Sequence, residues 1–326
     1  MGEALGVTKA GIIGAFRHTF KENLGGTWWP MLGMKFDSNS DSETYKWLGA
    51  SPALREWVDG RKPTRFKGDG VTIVNDYYEA SVAVFKEELR RDKTGQILLR
   101  VREMARKAAY HPNNLFTDAI LAGLDTACYD GEFFFDDDHQ EGDSGVQSNL
   151  LTSSDVAALE VVDANNPTPA EMEQAILGII NHMYGIVDDK GDEFNGDAMK
   201  FLVMTPVTGT LWTSARQAVN MNYFAVPGGG TRDNALKGQF EIDVVPNVRL
   251  GTVGGWDDQI VVFRTDSEAA PLILQEEYEL TEDFVGEGSE ETFMNRNLLF
   301  GIEWSGNAGY GYWQYAMHAT FNTATP

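Results

Sequence analysis

The run Thr94-Gly95-Gln96-Ile97-Leu98-Leu99-Arg100-Val101-Arg102-Glu103-Met104-Ala105-Arg106-Lys107-Ala108-Ala109-Tyr110 sets the frame for the rest of the chain. Ile97, Leu98, Val101, Met104, Ala105 and Ala108 recur at the spacing that gathers them on one helical face. Arg106 and Lys107 stand in the last turn, where positive charge suits the carbonyl end of the helix dipole. His111-Pro112 follows. Proline lacks the N–H a helix needs and restricts the residue before it, so the pattern predicts a stop there. A second helix is predicted from about Asn114 to Leu124.

Upstream, residues 61–89 carry Arg61, Lys62, Arg65 and Lys67 beside Gly68 and Gly70, a basic patch in an acidic chain. Val71 and Ile73, then Val82 and Val84, alternate with polar residues, which suits two antiparallel strands. An extended hairpin with a charged tip is one reading, and an ordinary surface hairpin is the other. Thr27 to Gly60 shows weak periodicity but holds Trp28, Trp29, Phe36, Tyr45, Trp47 and Trp57. Such aromatics need a surface to bury against, in this chain or in a neighbour. Thr8 to Leu24 reads as an amphipathic helix with Ile12, Ile13, Phe16 and Phe20 inward, ended by Gly25-Gly26.

Downstream, Phe133 to Phe135 reads as a buried strand and Asp136 to Ser148 as a polar loop. Thr168-Pro169-Ala170-Glu171 has capping-box spacing. It opens a helix with Met172, Ile176, Ile179, Ile180 and Met183 as its buried stripe. Lys200 to Met204 is a strand, and Thr205-Pro206 begins a helix to about Val219. Phe240 to Val245, Arg249 to Val253 and Gln259 to Phe263 read as short strands. Asn297 to Trp304 and Gly311 to Phe321 read as two strands joined by a glycine-rich turn. The sum is an α+β chain, and 326 residues are enough for about two domains.

Composition narrows the function. The net charge is −23, so the chain as a whole repels nucleic acid. One cysteine excludes an internal disulfide framework. No apolar run reaches membrane-spanning length, and no secretory signal is read at the start. The sharpest chemical candidate is Asp136, Asp138 and His139, with Glu141 and Asp143 behind them, a set able to bind a divalent ion. Adjacent residues point different ways, which favours a solvated acidic loop. His182 reads as a structural histidine and Cys128 as a small buried residue. GxSxG, GxxxxGK[ST] and HExxH motifs are absent. No catalytic residue, cofactor or metal is assigned.

Several phrases in fixed order resemble the major head subunit family of Mu-like phages, the gpT type. They are Tyr45-Lys46-Trp47-Leu48-Gly49 through Pro52 to Arg55-Glu56-Trp57, and Tyr78-Glu79 through Val82 and Val84 to Asp92 and Gly95. Next come Ala108-Ala109, His111-Pro112, Leu121-Ala122-Gly123 and Tyr129-Asp130-Gly131 before Phe134-Phe135 and His139. Last are Phe300-Gly301-Ile302 and Asn307-Ala308-Gly309-Tyr310-Gly311-Tyr312-Trp313-Gln314. The resemblance runs from about Gly26 to the end. Glu303-Trp304-Ser305 departs from it, where the family pattern has a basic residue.

The resemblance implies an HK97-like capsid fold and a chain that self-assembles into hexamers and pentamers of an icosahedral shell around the double-stranded DNA of a tailed phage. On that pattern residues 1–60 are an N-terminal arm and 61–90 the E-loop. Residues 91–150 are a P-domain with the spine helix, completed by 284–326, and 151–283 are the A-domain. It further implies assembly in the host cytoplasm into a virion, with a scaffolding protein or protease, a portal protein and decoration proteins as partners. Two readings of the negative charge stand side by side: an acidic wall that lets packed DNA slide, and simple solubility. Arg61, Lys62, Arg65, Lys67, Trp28, Trp29, Trp47 and Trp57 are the expected contacts between subunits. The competing readings are an encapsulin-like cage with enzyme cargo and a metal-dependent enzyme built on Asp136, Asp138 and His139.

Overall fold

The computed structural model describes residues 9–46, 70–91, 95–226, 228–286 and 288–324. The chain begins with α1 (Lys9–Leu24), α2 (Trp29–Leu32), β1 (Gly33–Asp37), β2 (Ser42–Tyr45), β3 (Val71–Val74), β4 (Asp76–Phe85), α3 (Lys86–Arg91) and α4 (Gln96–Ala122). Short strands β5 (His139–Gln140), β6 (Val146–Gln147), β7 (Leu150–Leu151) and β8 (Glu160–Val161) lead to α5 (Pro169–Tyr184), β9 (Lys200–Thr205) and α6 (Leu211–Asn220). Then come β10 (Tyr223–Ala225), β11 (Thr231–Asp233), β12 (Glu241–Pro246), α7 (Val248–Thr252) and β13 (Gln259–Arg264). The chain closes with β14 (Leu272–Val285), α8 (Glu290–Asn295), β15 (Asn297–Tyr310), β16 (Ala316–Thr320) and β17 (Asn322–Thr323).

Two sheets organise these elements. A four-stranded sheet has the order β1-β14-β15-β4, and a five-stranded sheet has the order β12-β9-β13-β16-β7. In the second, Phe201 to Met204, Ile260 to Phe263 and Ala316 to Ala319 are buried throughout. Unbroken burial means that both faces are covered, as in a sheet lined by helices. The α5 stripe is buried as the spacing predicts, and its capping box forms between Thr168 and Glu171. In the first sheet burial alternates. Phe300 and Ile302 of β15 join Ile12 and Phe16 of α1 and Val101, Met104 and Ala105 of α4 in a separate core. Helices α1 and α4 therefore cover one face of this sheet.

The largest departure from expectation is α4. It is one 27-residue helix with Pro112 inside, not two helices parted at His111-Pro112. A proline within a helix removes a hydrogen bond and costs roughly 3 kcal/mol. Side-chain packing on both sides of the gap offsets that. The His111 ring lies 4.3 Å from Tyr78 and 5.4 Å from Trp304, centroid to centroid. Asn113 Oδ1 accepts the Trp29 backbone N–H at 3.0 Å, and Phe116 and Ile120 beyond the proline are fully buried.

The 61–89 segment also pairs differently from the expected hairpin. β3 and β4 both form, but β3 pairs antiparallel with β2, whereas β4 pairs with β15. The described part of the next-upstream stretch, residues 27–46, is less irregular than its periodicity implies, since β1 runs parallel to β14 and β2 pairs with β3. Trp47, Trp57, Arg61, Lys62, Arg65 and Lys67 lie outside the described residues.

Four smaller corrections share one cause, tertiary contact overriding local pattern. Residues 249–252 of the expected strand are helical, within α7, with the Asn247 side chain accepting the Arg249 N–H. Phe133 makes a single bridge, and Phe134 and Phe135 are buried without forming a strand. Helix α6 starts at Leu211 and not at Thr205-Pro206; before it, Gly209 sits at φ +53°, where any Cβ would collide with the Asn165 carbonyl. The two terminal strands are not a hairpin: β15 belongs to the four-stranded sheet and β16 to the five-stranded one. Gly309 is a strand residue, bare because a Cβ there would meet the Ile73 side chain at 2.3 Å.

Candidate functional site

Among the described residues, Asp136, Asp138 and His139 do not converge as one group. Asp136 caps its own turn, accepting from the backbone N–H groups of Asp137, Asp138 and Phe133, and Asp138 is exposed. His139 is not on a solvated loop but fully buried, its ring stacked 3.9 Å from that of Trp313. The group that does converge is Cys128, Asp130 and His139, whose ligand-type atoms lie within 4.8 Å of one another. His139 Nδ1 and Asp130 Oδ2 are 2.7 Å apart, and Cys128 Sγ–H donates to Asp130 Oδ1 at 2.9 Å.

Burial first, and then the Asp130 charge, push the Cys128 thiol far up, so it is a protonated donor and a poor nucleophile or ligand. Burial pushes the Asp130 carboxyl up, and hydrogen bonds from His139 and Cys128 more than offset it. Asn149 extends the network, with Oδ1 3.3 Å from His139 Nε2 and Nδ2 donating to the carbonyl of Phe134. This arrangement satisfies its own polar groups and fastens residues 128–149 to Trp313. His182 is likewise structural, with Nε2 2.9 Å from the Ser148 carbonyl.

Surfaces made for contact lie elsewhere. Trp28 and Trp29 are half-buried against Phe116 of their own chain, at 6.3 and 6.2 Å between ring centroids. The outer half of the four-stranded sheet is open on the face away from α1 and α4, whereas β2 and β3 cover the inner half there, with Ile73 against Gly309 and Tyr45 bonded to Gln275. Along β4, Tyr77, Glu79, Ser81, Ala83 and Phe85 point outward, while Tyr78, Ala80 and Val82 point to the helices. Tyr77 is 70% exposed and Tyr278 56%, with ring centroids 6.4 Å apart.

Glu79, Asp283 and Glu303 are exposed in the same sheet, and Glu303 is in register with Glu79. Nearby carboxylates, Glu277 foremost, hold the Tyr77 hydroxyl above its usual range. At the far end of the β14–β15 ribbon, α8 presents Phe293 and Met294, 86% and 68% exposed. Sequence reasoning missed this face. Its signal was the period-two alternation in β4, readable as a strand but silent about what covers the outward residues.

The family model for the Mu-like prophage major head subunit gpT matches residues 8–169 and 249–325, more than half of the chain. The Mu-like prophage FluMu major head subunit of Haemophilus influenzae is 34% identical over 130 residues, 39% of this chain and 42% of that protein. The major capsid protein of Escherichia phage Mu is 34% identical over 108 residues, 33% of this chain and 35% of that protein. Each alignment thus spans less than half the length of the curated relative.

Among solved structures, the procapsid of bacteriophage JBD30 matches with a TM-score of 0.51 at 21% identity, over 97% of this chain and 76% of that one. The mature capsid of bacteriophage PhiM1 matches with a TM-score of 0.55 at 14% identity, over 92% and 88%. These likenesses show an HK97-like fold of the α+β class. From the matched residues, the chain belongs to the Mu-like prophage major head subunit gpT family.

Proposed function

We propose that this chain is a major capsid protein. In this reading it self-assembles into hexamers and pentamers of an icosahedral shell that encloses the double-stranded DNA of a tailed phage. One observation carries it beyond family membership. The outer half of the four-stranded sheet is packed by helices on one face and left acidic and aromatic on the other, at Tyr77, Glu79, Tyr278, Asp283 and Glu303. A sheet covered on one side, with large exposed rings on the other, suits a contact surface. The basic segment with Arg61, Lys62, Arg65 and Lys67 supplies the complement, and we assign it to a neighbouring subunit's acidic face. Such pairing sets orientation more than affinity, and many weak contacts closing on one another make a stable shell.

In this scheme the β2–β3 ribbon bears the E-loop. Helix α4 and the four-stranded sheet form the P-domain, with α4 as its spine, and the five-stranded sheet with α5 and α6 forms the A-domain. Trp47 and Trp57 bury at a subunit boundary, and Trp28 and Trp29 flank it. A scaffolding protein or protease, a portal protein and decoration proteins act during assembly, which takes place in the host cytoplasm and ends in the virion. The role is structural and involves no catalysed reaction.

The test is double charge reversal, Arg65→Glu with Lys67→Glu, followed by negative-stain electron microscopy across a salt series. The wild-type chain is expected to give closed shells and the variant few, with altered salt dependence. Unchanged yield and salt dependence would sink the assigned contact. A wild-type chain that stays monomeric under every assembly condition would sink the capsid reading.

A further inference from the structure

The two layers of the four-stranded unit differ in charge, and the difference points to what each side meets. Helices α1 and α4 together carry seven Lys and Arg against three Asp and Glu, within a chain of net charge −23. On α4, Arg100, Arg102, Arg106 and Lys107 are all exposed. Arg102 and Arg106 are one turn apart, about 6 Å along the axis, and Arg100 and Lys107 two turns apart, about 10 Å. They flank Glu103, and the exposed Asp118 lies further along the same side, about five turns beyond Arg100. Val101, Met104 and Ala105 occupy the opposite, buried side.

The chain has 49 carboxylate residues for 26 Lys and Arg, so partners are plentiful. Arg17, Arg232, Arg249 and Arg296 each pair with one, and Arg264 with two. None of the four cations on α4 enters an ion pair among the described residues. A single unpaired surface cation is ordinary. Four on one rigid helix, around the single carboxylate Glu103 between them, leave a net positive strip.

We propose that this helical face is turned to the inside of the shell, where Arg100, Arg102, Arg106 and Lys107 contact the phosphate backbone of the packaged duplex. The inference rests on the capsid reading. Duplex DNA is the polyanion that this reading places against one side of the wall, and the outward sheet face, with Glu79, Asp283 and Glu303, repels it. Phosphate contacts carry no sequence information, which suits a wall that meets every part of a genome. An acidic polypeptide is the competing occupant, and the experiment separates the two.

DNA-filled heads and DNA-free shells of the wild-type chain are treated with a small amine-reactive reagent, and modification of Lys107 is quantified by mass spectrometry. Lys107 is expected to be protected in filled heads and reactive in DNA-free shells. In parallel, a short duplex is titrated against DNA-free shells of the wild type and of R100Q/R102Q/R106Q/K107Q. The log–log salt slope of binding is expected to fall by about three to four in the variant, from roughly 0.9 per phosphate contact. Equal reactivity of Lys107 in filled and empty particles overturns the proposal. So does protection confined to DNA-free precursors, which would assign the strip to an acidic assembly protein. Particles that form but never contain DNA overturn the capsid reading instead, and this inference with it.

Discussion

The two sheets of this molecule solve burial in different ways. In the five-stranded sheet, β9, β13 and β16 are apolar along their length and buried on both faces. In the four-stranded sheet, the outer halves of β14 and β15 and nearly all of β4 alternate, with one face under α1 and α4 and the other open. The first unit is complete within one chain. The second has spent only half of its surface. Continuous apolar strands thus mark the self-sufficient part of a subunit, and alternating strands mark the part that looks outward.

The comparison can be broken from the self-sufficient side. Phe201→Ala in β9 removes a fully buried ring from the five-stranded core and is expected to cost about 3–5 kcal/mol. Urea denaturation of the unassembled chain would read it. A cost under 1 kcal/mol would mean that this sheet too is loosely filled.

Acid probes the same contrast more gently. His318 is buried in the five-stranded unit between Phe135 and Trp256, and burial pushes its pKa down to about 4. The unfolded chain takes up this proton near pH 6.5, while the folded chain resists until about pH 4. Stability from the neutral ring is therefore whole above 6.5 and is lost between 6.5 and 4, by about 3 kcal/mol. His318→Gln is expected to flatten that part of the stability–pH curve. His111, in the four-stranded unit, is shifted down by burial but in part opposed by Asp118, so His111→Gln should flatten it less. Equal effects would erase the distinction between the two units.

Two milder changes sharpen the outward side. Ile302→Val trims a residue beneath α1 and should cost about 1 kcal/mol. Tyr77→Ser with Tyr278→Ser removes exposed rings and should leave monomer stability within about 0.5 kcal/mol while lowering shell yield. A fall of several degrees in the monomer Tm would make those rings structural and not contact residues.

Legibility in the sequence followed the same division. The α5 stripe with its capping box, and the strands at 200–205, 241–246 and 259–264, were readable because local pattern and final environment agree. The α1 helix was readable for the same reason. Strand β14 was not. Its register shifts between Glu276 and Tyr278 and again before Thr281, and these break the alternation that would have announced it. Pro112 misled because what holds the helix together there comes from Tyr78, Trp304 and Trp29, distant in sequence. The Cys128–Asp130–His139 network was half visible. Its residues were noticed singly, but burial against Trp313 could be known only from the fold. The acidic sheet face was missed because a single chain's pattern shows which residues point out and not whether anything meets them.

The strand order of the five-stranded sheet bears on how such proteins diverge. The family model leaves residues 170–248 unmatched, and that stretch supplies β9 and β12, the two strands at one end of the sheet. The matched strands β7, β16 and β13 form the other end, and β13 offers its free edge to β9 through an antiparallel pairing. A lineage altering this stretch has that hydrogen-bonding rim to satisfy and, through the buried stripe of α5, one apolar face of β13 and β16 to keep covered. The exposed parts of the stretch are free of both demands.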